Sequence, residues 1–405
     1  MSGRGTIGIL GGGQLGRMLA LSAHNLGLKT RCFDQAADAV AGDVTELHVD
    51  SFDDPARLDE FLDGLSAVTY EFENVPVALA DRINERVPCY PPPGALRAAQ
   101  DRVTEKTLFR SLGIATAGFA QIDTLEQLKV AAANMGLPAV LKTRRMGYDG
   151  KGQYVLRDES DIAKAWAALV RPPAPSGGAA RGSASAGGEK AEGSLAAGAE
   201  AAPANLILEQ FVPFTRELSI IAVRSVAGEV RTWPLMENTH SQGILRTSIA
   251  PAPNAPAALT DQATGAIRAV MNHLNYVGVL AIEFFQLGNA LIANEMAPRV
   301  HNSGHWTMDG SITGQFENHM RAVAGLPLGD CAMRDPSPTA ASAMLNIIGN
   351  MPERKRFLAA CGGRAKLHHY GKEPRAGRKL GHVNISAPSM RDLNIAIGEL
   401  RAIIG

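Results

Sequence analysis

Glu283 and Glu295 are the two acids whose spacing says most about chemistry. Glu283 interrupts the apolar run Leu280-Ala281-Ile282-Glu283-Phe284-Phe285, and Glu295 interrupts Leu291-Ile292-Ala293-Asn294-Glu295-Met296. Each run has the length and composition of a strand. Leu287-Gly288-Asn289 supplies a turn between them. Folding the chain as a hairpin about residue 289 sets the two carboxylates opposite each other, since 289 − 283 equals 295 − 289. Directly opposed like charges are unfavourable, so a cation belongs between them. An Arg or Lys side chain would serve. Mg2+ is the sharper alternative, because it takes carboxylates together with substrate phosphates, and Asn294 can add another oxygen.

The residues that follow, Ala297-Pro298-Arg299-Val300-His301-Asn302-Ser303-Gly304-His305, are too polar for a plain loop. Arg299, His301 and Asn302 beside paired acids read as an anion site. A second cationic feature lies upstream. Lys142 lies within the apolar stretch 138–143, where a buried ammonium needs an anionic partner. Arg144-Arg145-Met146-Gly147-Tyr148-Asp149-Gly150-Lys151-Gly152-Gln153 follows before a second strand. Its glycines let backbone N–H groups approach phosphate oxygens and its bases add charge. It lacks the Walker A pattern, and a simple mobile hairpin is the alternative. A third basic group, His368, His369, Lys372, Arg375, Arg378, Lys379 and His382, has Glu373 as its sole acid. It reads as a phosphate trap, or as a solvated basic face.

Near the N-terminus, Gly11, Gly13 and Gly16 match G-x-G-x-x-G, with Asp34 where a dinucleotide fold places its ribose acid. An NAD-dependent oxidoreductase is therefore one reading. Others are a tight packing turn, or a helix N-terminus that cradles a different anion.

The elements that must hold these groups alternate strand and helix at the start. A strand at 6–10, the glycine turn, a helical pattern and a strand at 29–33 open a doubly wound parallel sheet, with another strand at 67–71. Strands at 138–143 and 154–157 flank the cationic loop. Leu206–Leu208 runs into Glu209-Gln210-Phe211-Val212, and a strand from Arg216 carries Glu217 at its start. Residues 171–204 are almost all Ala, Gly, Ser and Pro, and read as a disordered surface insertion in a loop.

Composition bounds the rest. The 405 residues suggest two or three domains. Forty basic residues balance forty acidic ones, which argues against a nucleic-acid-binding surface. Four cysteines without metal-like spacing fit a reducing compartment and buried free thiols. No signal peptide or membrane span is expected, so a cytoplasmic protein is the default.

Taken in order, these motifs resemble the ATP-grasp ligases, and among them the carboxylating enzymes of purine biosynthesis that act on 5-aminoimidazole ribonucleotide. The resemblance runs from about residue 6 to residue 383, outside the insertion. It rests on Gly13-Gln14-Leu15-Gly16-Arg17-Met18, Tyr70-Glu71-Phe72-Glu73-Asn74, Lys142 with the 147–153 loop, Glu209-Gln210-Phe211-Val212, the run Asn294 to Trp306, and Tyr370 to His382.

The resemblance implies an α/β and α+β architecture. A Rossmann-like domain spans 1–100, an ATP-grasp domain spans 101–330 with a lid at about 115–212, and a C-terminal domain spans 331–405. It implies ATP, bicarbonate and aminoimidazole ribonucleotide as substrates, and Mg2+ as the metal with Mn2+ as substitute. ATP would meet Arg102, Lys142, Gly147, Tyr148, Asp149, Gly150, Lys151, Gly152, Gln153, Glu209, Gln210, Phe211, Val212, Glu217, His240, Asn294 and Glu295. Glu283 and Glu295 would hold the metal. Arg299, His301 and Asn302 would hold bicarbonate, with Lys372 also catalytic. Gln14, Glu73, Tyr148, Asp149, Lys372, Arg375 and Lys379 would meet the nucleotide substrate. A homodimer, no nucleic-acid or membrane partner, and a separate mutase for the next step complete the expectation. A formate-dependent ligase of the same class is the nearest rival.

Overall fold

The computed structural model describes residues 5–147, 152–170 and 204–405. The expectations placed on Tyr148, Asp149, Gly150 and Lys151, and on the insertion at 171–203, lie outside the described residues. The chain divides into two compact units. Among the described residues, the larger comprises 5–117 and 212–405; the smaller comprises 118–147, 152–170 and 204–211.

The larger unit begins with the expected parallel sheet, ordered Glu46–Val49, Lys29–Asp34, Thr6–Leu10, Leu65–Tyr70. Gly11 takes φ +95, which a side chain would resist. A Cβ on Gly16 would lie 2.6 Å from the Gly11 carbonyl oxygen, so the third glycine lets the helix Gln14–Asn25 pack onto the turn.

The same unit holds a nine-stranded sheet. Its path runs Ala290–Ala297, Gly278–Leu287, Arg216–Arg224, Met236–Ser241, Ile244–Ala250, Ala341–Ile348, Lys379–Ala387, Lys366–His369, with Val230–Thr232 also on Arg216–Arg224. One face of its first half packs on the helix Ala257–His273 through Leu218, Ile220, Leu280 and Ile282. The other face, through Ile221, Val279 and Ala281, joins the core of the N-terminal sheet and the helix Gln315–Val323. Alternate residues of one strand thus serve two cores, which explains the consecutive apolar residues at 220–223 and 279–282.

The smaller unit is an antiparallel sheet, Phe119–Ile122, Leu206–Gln210, Ala139–Thr143, Gln153–Leu156, covered by Leu125–Met135 and Ser160–Leu169. Thr124 and Gln127 form a reciprocal capping box at the first of these helices. All four cysteines are buried free thiols. Among the described residues no helix is long and apolar enough to cross a membrane.

The paired-acid hairpin differs in detail from its expectation. Leu287 pairs with Ala290, so the turn is the two residues Gly288-Asn289 rather than three. Gly288 has φ +58, as a tight hairpin turn requires. That register alone would set Glu283 against Asn294. A bulge intervenes: Phe284 pairs with Ala293 and Glu283 with Glu295, so Asn294 is the extra residue. The bulge therefore restores the opposition of the two acids that the longer turn was expected to give.

Candidate functional site

Glu283 and Glu295 face each other on adjacent strands of the larger unit. Burial, and then the charge of Glu295, push the Glu283 carboxyl well above the usual range. A guanidinium and an imidazole lie against them. Arg102 Nη1 donates to Glu295 Oε2 at 2.8 Å, and His301 Nε2 lies 3.8 Å from Glu283 Oε1. His301 carries no charge near neutrality, because burial and the Arg299 charge lower it to about 3. The Asn294 Oδ1 is buried and meets no partner among the described residues. Two carboxylates and a buried amide oxygen form an all-oxygen donor set, which fits a hard cation such as Mg2+. Among the described residues no group of three or more His, Cys, Asp or Glu could hold a metal. Such a cation would thus complete its shell from substrate and water, as Mg2+ commonly does.

Beside this pair, Arg299 donates through Nε to the Glu73 carboxylate and through Nη1 to the Val300 carbonyl at 3.1 Å. Burial works against the Glu73 charge, but Arg299 outweighs it and holds the carboxyl down to about 2. Glu73, expected to approach the imidazole and ribose, is thus engaged by Arg299. Asn302 begins a single 3-10 turn, and its amide nitrogen and oxygen are both buried without a partner among the described residues. Gln315 clamps this segment. Its Oε1 accepts from the His301 N–H at 2.9 Å, and its Nε2 donates to the His301 carbonyl at 2.7 Å.

Glu217 and His240 lie on neighbouring strands. Glu217 Oε2 is 2.6 Å from His240 Nδ1, and although burial opposes the imidazolium, this contact raises its pKa. Lys372 donates to Gln14 Oε1. Burial lowers the Lys372 pKa, and the nearby charge of Glu71 offsets part of that. Lys379 acts elsewhere: its charge lowers both Glu283 and His301. Arg375 is exposed.

In the smaller unit, Lys142 meets the anionic partner its burial demands. Its Nζ donates to Glu209 Oε2 at 2.9 Å. Gly152, at φ +73, and Gln153 open the strand Gln153–Leu156, and Gly147 precedes the residues not described. Gln210 ends the strand Leu206–Gln210, Phe211 is exposed, and Val212 belongs to the larger unit.

The basic C-terminal cluster is not one surface. His382 is fully buried, its Nδ1 bonded to the Tyr370 hydroxyl at 2.7 Å. His368 stacks on it and pairs with Asp309 at 2.7 Å. Glu373 and Arg375 are exposed, and His369, Lys372, Arg378 and Lys379 are half-buried. The glycine turn is also not what its fingerprint suggests. Glu71 Oε1 accepts from the Gly13 N–H at 2.5 Å, Glu71 Oε2 from the Gly16 N–H at 2.6 Å, and Asp34 Oδ2 from the Gly12 N–H at 2.6 Å. The chain's own carboxylates fill the place of a pyrophosphate. The sequence places Glu71 at the end of a strand and in a shared motif without giving it this role; an acid directly ending an apolar strand is the signal for it.

Three family models match in tandem: a ribonucleotide synthetase preATP-grasp domain over residues 4–100, an ATP-grasp domain over 107–316, and a phosphoribosylaminoimidazole carboxylase C-terminal domain over 342–395. The N5-carboxyaminoimidazole ribonucleotide synthase of Pseudomonas aeruginosa is 44% identical over 98% of this chain and 99% of its own. That of Brucella melitensis is 42% identical, covering 95% and 96%. The crystal structure of the Thermus thermophilus synthetase matches at TM-score 0.85 and 46% identity, covering 98% of both chains. An Aspergillus clavatus synthase in complex with ADP and 5-aminoimidazole ribonucleotide matches at TM-score 0.83 and 27% identity, covering 99% of this chain and 98% of that one.

Proposed function

The chain belongs to the N5-carboxyaminoimidazole ribonucleotide synthases of the ATP-grasp ligases, and from that premise we propose how its residues divide the work. The reaction is the ATP-dependent carboxylation of 5-aminoimidazole ribonucleotide to the N5-carboxyamino nucleotide, a C–N bond formation in purine biosynthesis. The NAD reading falls away, since Glu71 occupies the glycine turn.

A bicarbonate oxygen attacks the γ-phosphorus of ATP, the bond to ADP breaks, and carboxyphosphate forms. The exocyclic amine then takes the carboxyl carbon; phosphate leaves with the electrons of the C–O bond, and the amine proton departs. Such a transfer is accelerated mainly by positioning and by neutralising negative charge. Arg299, fixed by Glu73, supplies positive charge at the bicarbonate. The unpartnered Asn302 amide offers it one donor and one acceptor. Neutral His301 adds a polar contact without a second charge. Glu283 and Glu295, with Asn294, would hold Mg2+, which supplies charge neutralisation at the phosphates.

We assign Arg102, Lys142, Gly147 to Gln153, Glu209 to Val212, Glu217 and His240 to ATP. Lys372 with Gln14 is assigned to the nucleotide substrate, together with Tyr148 and Asp149, and Arg375 to its phosphate. The charge of Lys379 on Glu283 and His301 supports placing Lys379 at the transferring carboxyl group. Functional division at 1–100, 101–330 and 331–405, a homodimer in the cytoplasm, and a separate mutase that moves the carboxyl group to carbon complete the proposal.

The observation that carries this reading is Glu283 directly opposite Glu295. Phosphate release from ATP by the purified protein tests it. Release requires both bicarbonate and aminoimidazole ribonucleotide; release indifferent to the imidazole overturns the assignment.

A further inference from the structure

The bulge at Asn294 is held from outside the sheet. Ala290–Ala297 is the edge strand of the sheet, and on its outer side the Ala293 N–H donates to the Ala115 carbonyl at 2.8 Å. The helix Arg102–Ser111 runs against it, begun by Asp101, whose carboxylate caps the Val103 N–H at 3.0 Å and the Thr104 N–H at 3.3 Å. Arg102, Glu105 and Lys106 lie at i, i+3 and i+4, one face of that helix. They engage three consecutive residues of the strand. Lys106 Nζ donates to the Asn294 carbonyl at 3.0 Å. Arg102 Nη1 donates to the Glu295 carboxylate at 2.8 Å. Glu105 Oε1 accepts from the Met296 N–H at 2.6 Å. Glu105 and Lys106 are both buried, at 2% and 1% exposure, so two groups that normally seek water are spent on this strand.

The geometry matters because side chains alternate along a strand. Without the extra residue, the two-residue turn would bring Asn294, not Glu295, opposite Glu283, and Glu295 would point to the other face. A bulge leaves ladder groups unpaired and bends its strand. Here the carbonyl of the bulged residue itself receives an ammonium.

We propose that Glu105 and Lys106 are positioning residues for the metal site. Through the backbone of Asn294 and Met296 they fix the bulge that sets Glu295 opposite Glu283. The proposal rests on the reading of Glu283 and Glu295 as metal ligands. Its effect is specific: loosening the clamp weakens divalent-cation binding before it alters contacts to the imidazole nucleotide.

Mn2+ binding in the presence of ADP tests this, read from the loss of the free-ion paramagnetic resonance signal. Melting curves establish that each variant is folded at the working temperature. Lys106→Met removes the donor at nearly constant volume, and Mn2+ affinity falls at least tenfold. Lys106→Gln, which retains an N–H donor, recovers part of that loss. Affinity in Lys106→Met equal to that of the wild-type protein overturns the proposal, whatever happens to its melting temperature. Should Lys106→Met not fold, Lys106→Gln and Glu105→Leu carry the test by the same criterion. Glu295→Gln separates the two levels. If it abolishes Mn2+ binding while Lys106→Met does not, the clamp fails alone. If Glu295→Gln binds Mn2+ as the wild type does, the metal reading fails first.

Discussion

Glu71 closes the glycine turn on Gly13 and Gly16, its two carboxylate oxygens accepting their backbone N–H groups at 2.5 and 2.6 Å. A helix N-terminus of this kind attracts anions, and here the anion is part of the chain. Burial raises the Glu71 pKa, the two N–H donors oppose that rise, and Lys372 adds a favourable charge.

This relationship predicts that NADH does not bind. Fluorescence titration with NADH should show no saturable change in the wild-type protein; micromolar binding would contradict the occupied turn. Glu71→Ala should destabilise the fold by about 2–6 kcal/mol, since a buried and a half-buried donor each lose a partner at roughly 1–3 kcal/mol. Chemical denaturation measures it, and a loss below about 1 kcal/mol would show the contacts to be incidental.

Glu73 and Arg299 give a pH dependence. The folded Glu73 pKa, about 2, lies below the ordinary carboxylate value of 4.5. A depressed carboxyl stabilises the fold above its unfolded pKa, and that contribution disappears as pH falls from about 4.5 to about 2. At 1.36 kcal/mol per unit the full contribution is on the order of 3 kcal/mol. Wild-type protein and Glu73→Gln should therefore differ most at neutral pH and converge toward pH 2. A constant difference across that range would mean that the pair does not set the shift.

Lys142 and Glu209 form a buried ion pair at 2.9 Å. Removing one partner of a buried ion pair costs about 3–5 kcal/mol. Lys142→Met should lower the melting temperature markedly. Lys142→Met combined with Glu209→Leu should recover most of that loss. Neither variant should turn over ATP, since the ammonium assigned to the phosphates is gone. Equal destabilisation by the single and double changes would show that the charges are not coupled.

Glu295→Gln keeps the shape of the side chain and removes its charge. Steady-state turnover should fall at least a hundredfold, with the protein still folded by circular dichroism. Wild-type turnover in this variant would remove Glu295 from the metal site.

The parts of this molecule legible in its sequence are those fixed by period and by local chemistry. The glycine turn between strand and helix, the apolar strands at 139–143 and 278–287, and the demand of Lys142 for an anion all follow from neighbours along the chain. Glu283 against Glu295 was also legible, though through a longer turn than the one formed. The bulge at Asn294 was not, because the groups that meet the backbone of Asn294 and Met296, Lys106 and Glu105, lie 188 and 191 residues earlier in the chain. The role of Glu71 was hidden for the same reason: its partners lie 58 and 55 residues away. His368 and His382 looked like part of a basic surface because seven bases fall close together, whereas strand pairing turns these two inward against Asp309 and Tyr370. Long-range pairing decides which charges stay in water, and a local pattern does not contain it.

The central claim is that the γ-phosphoryl group passes to a bicarbonate oxygen. Turnover with 18O-labelled bicarbonate, followed by mass analysis of the phosphate released, tests it most directly. One labelled oxygen should appear in each phosphate formed, because the attacking oxygen stays on phosphorus when the mixed anhydride breaks. Phosphate free of label, with the carboxylated nucleotide still formed, would contradict the account.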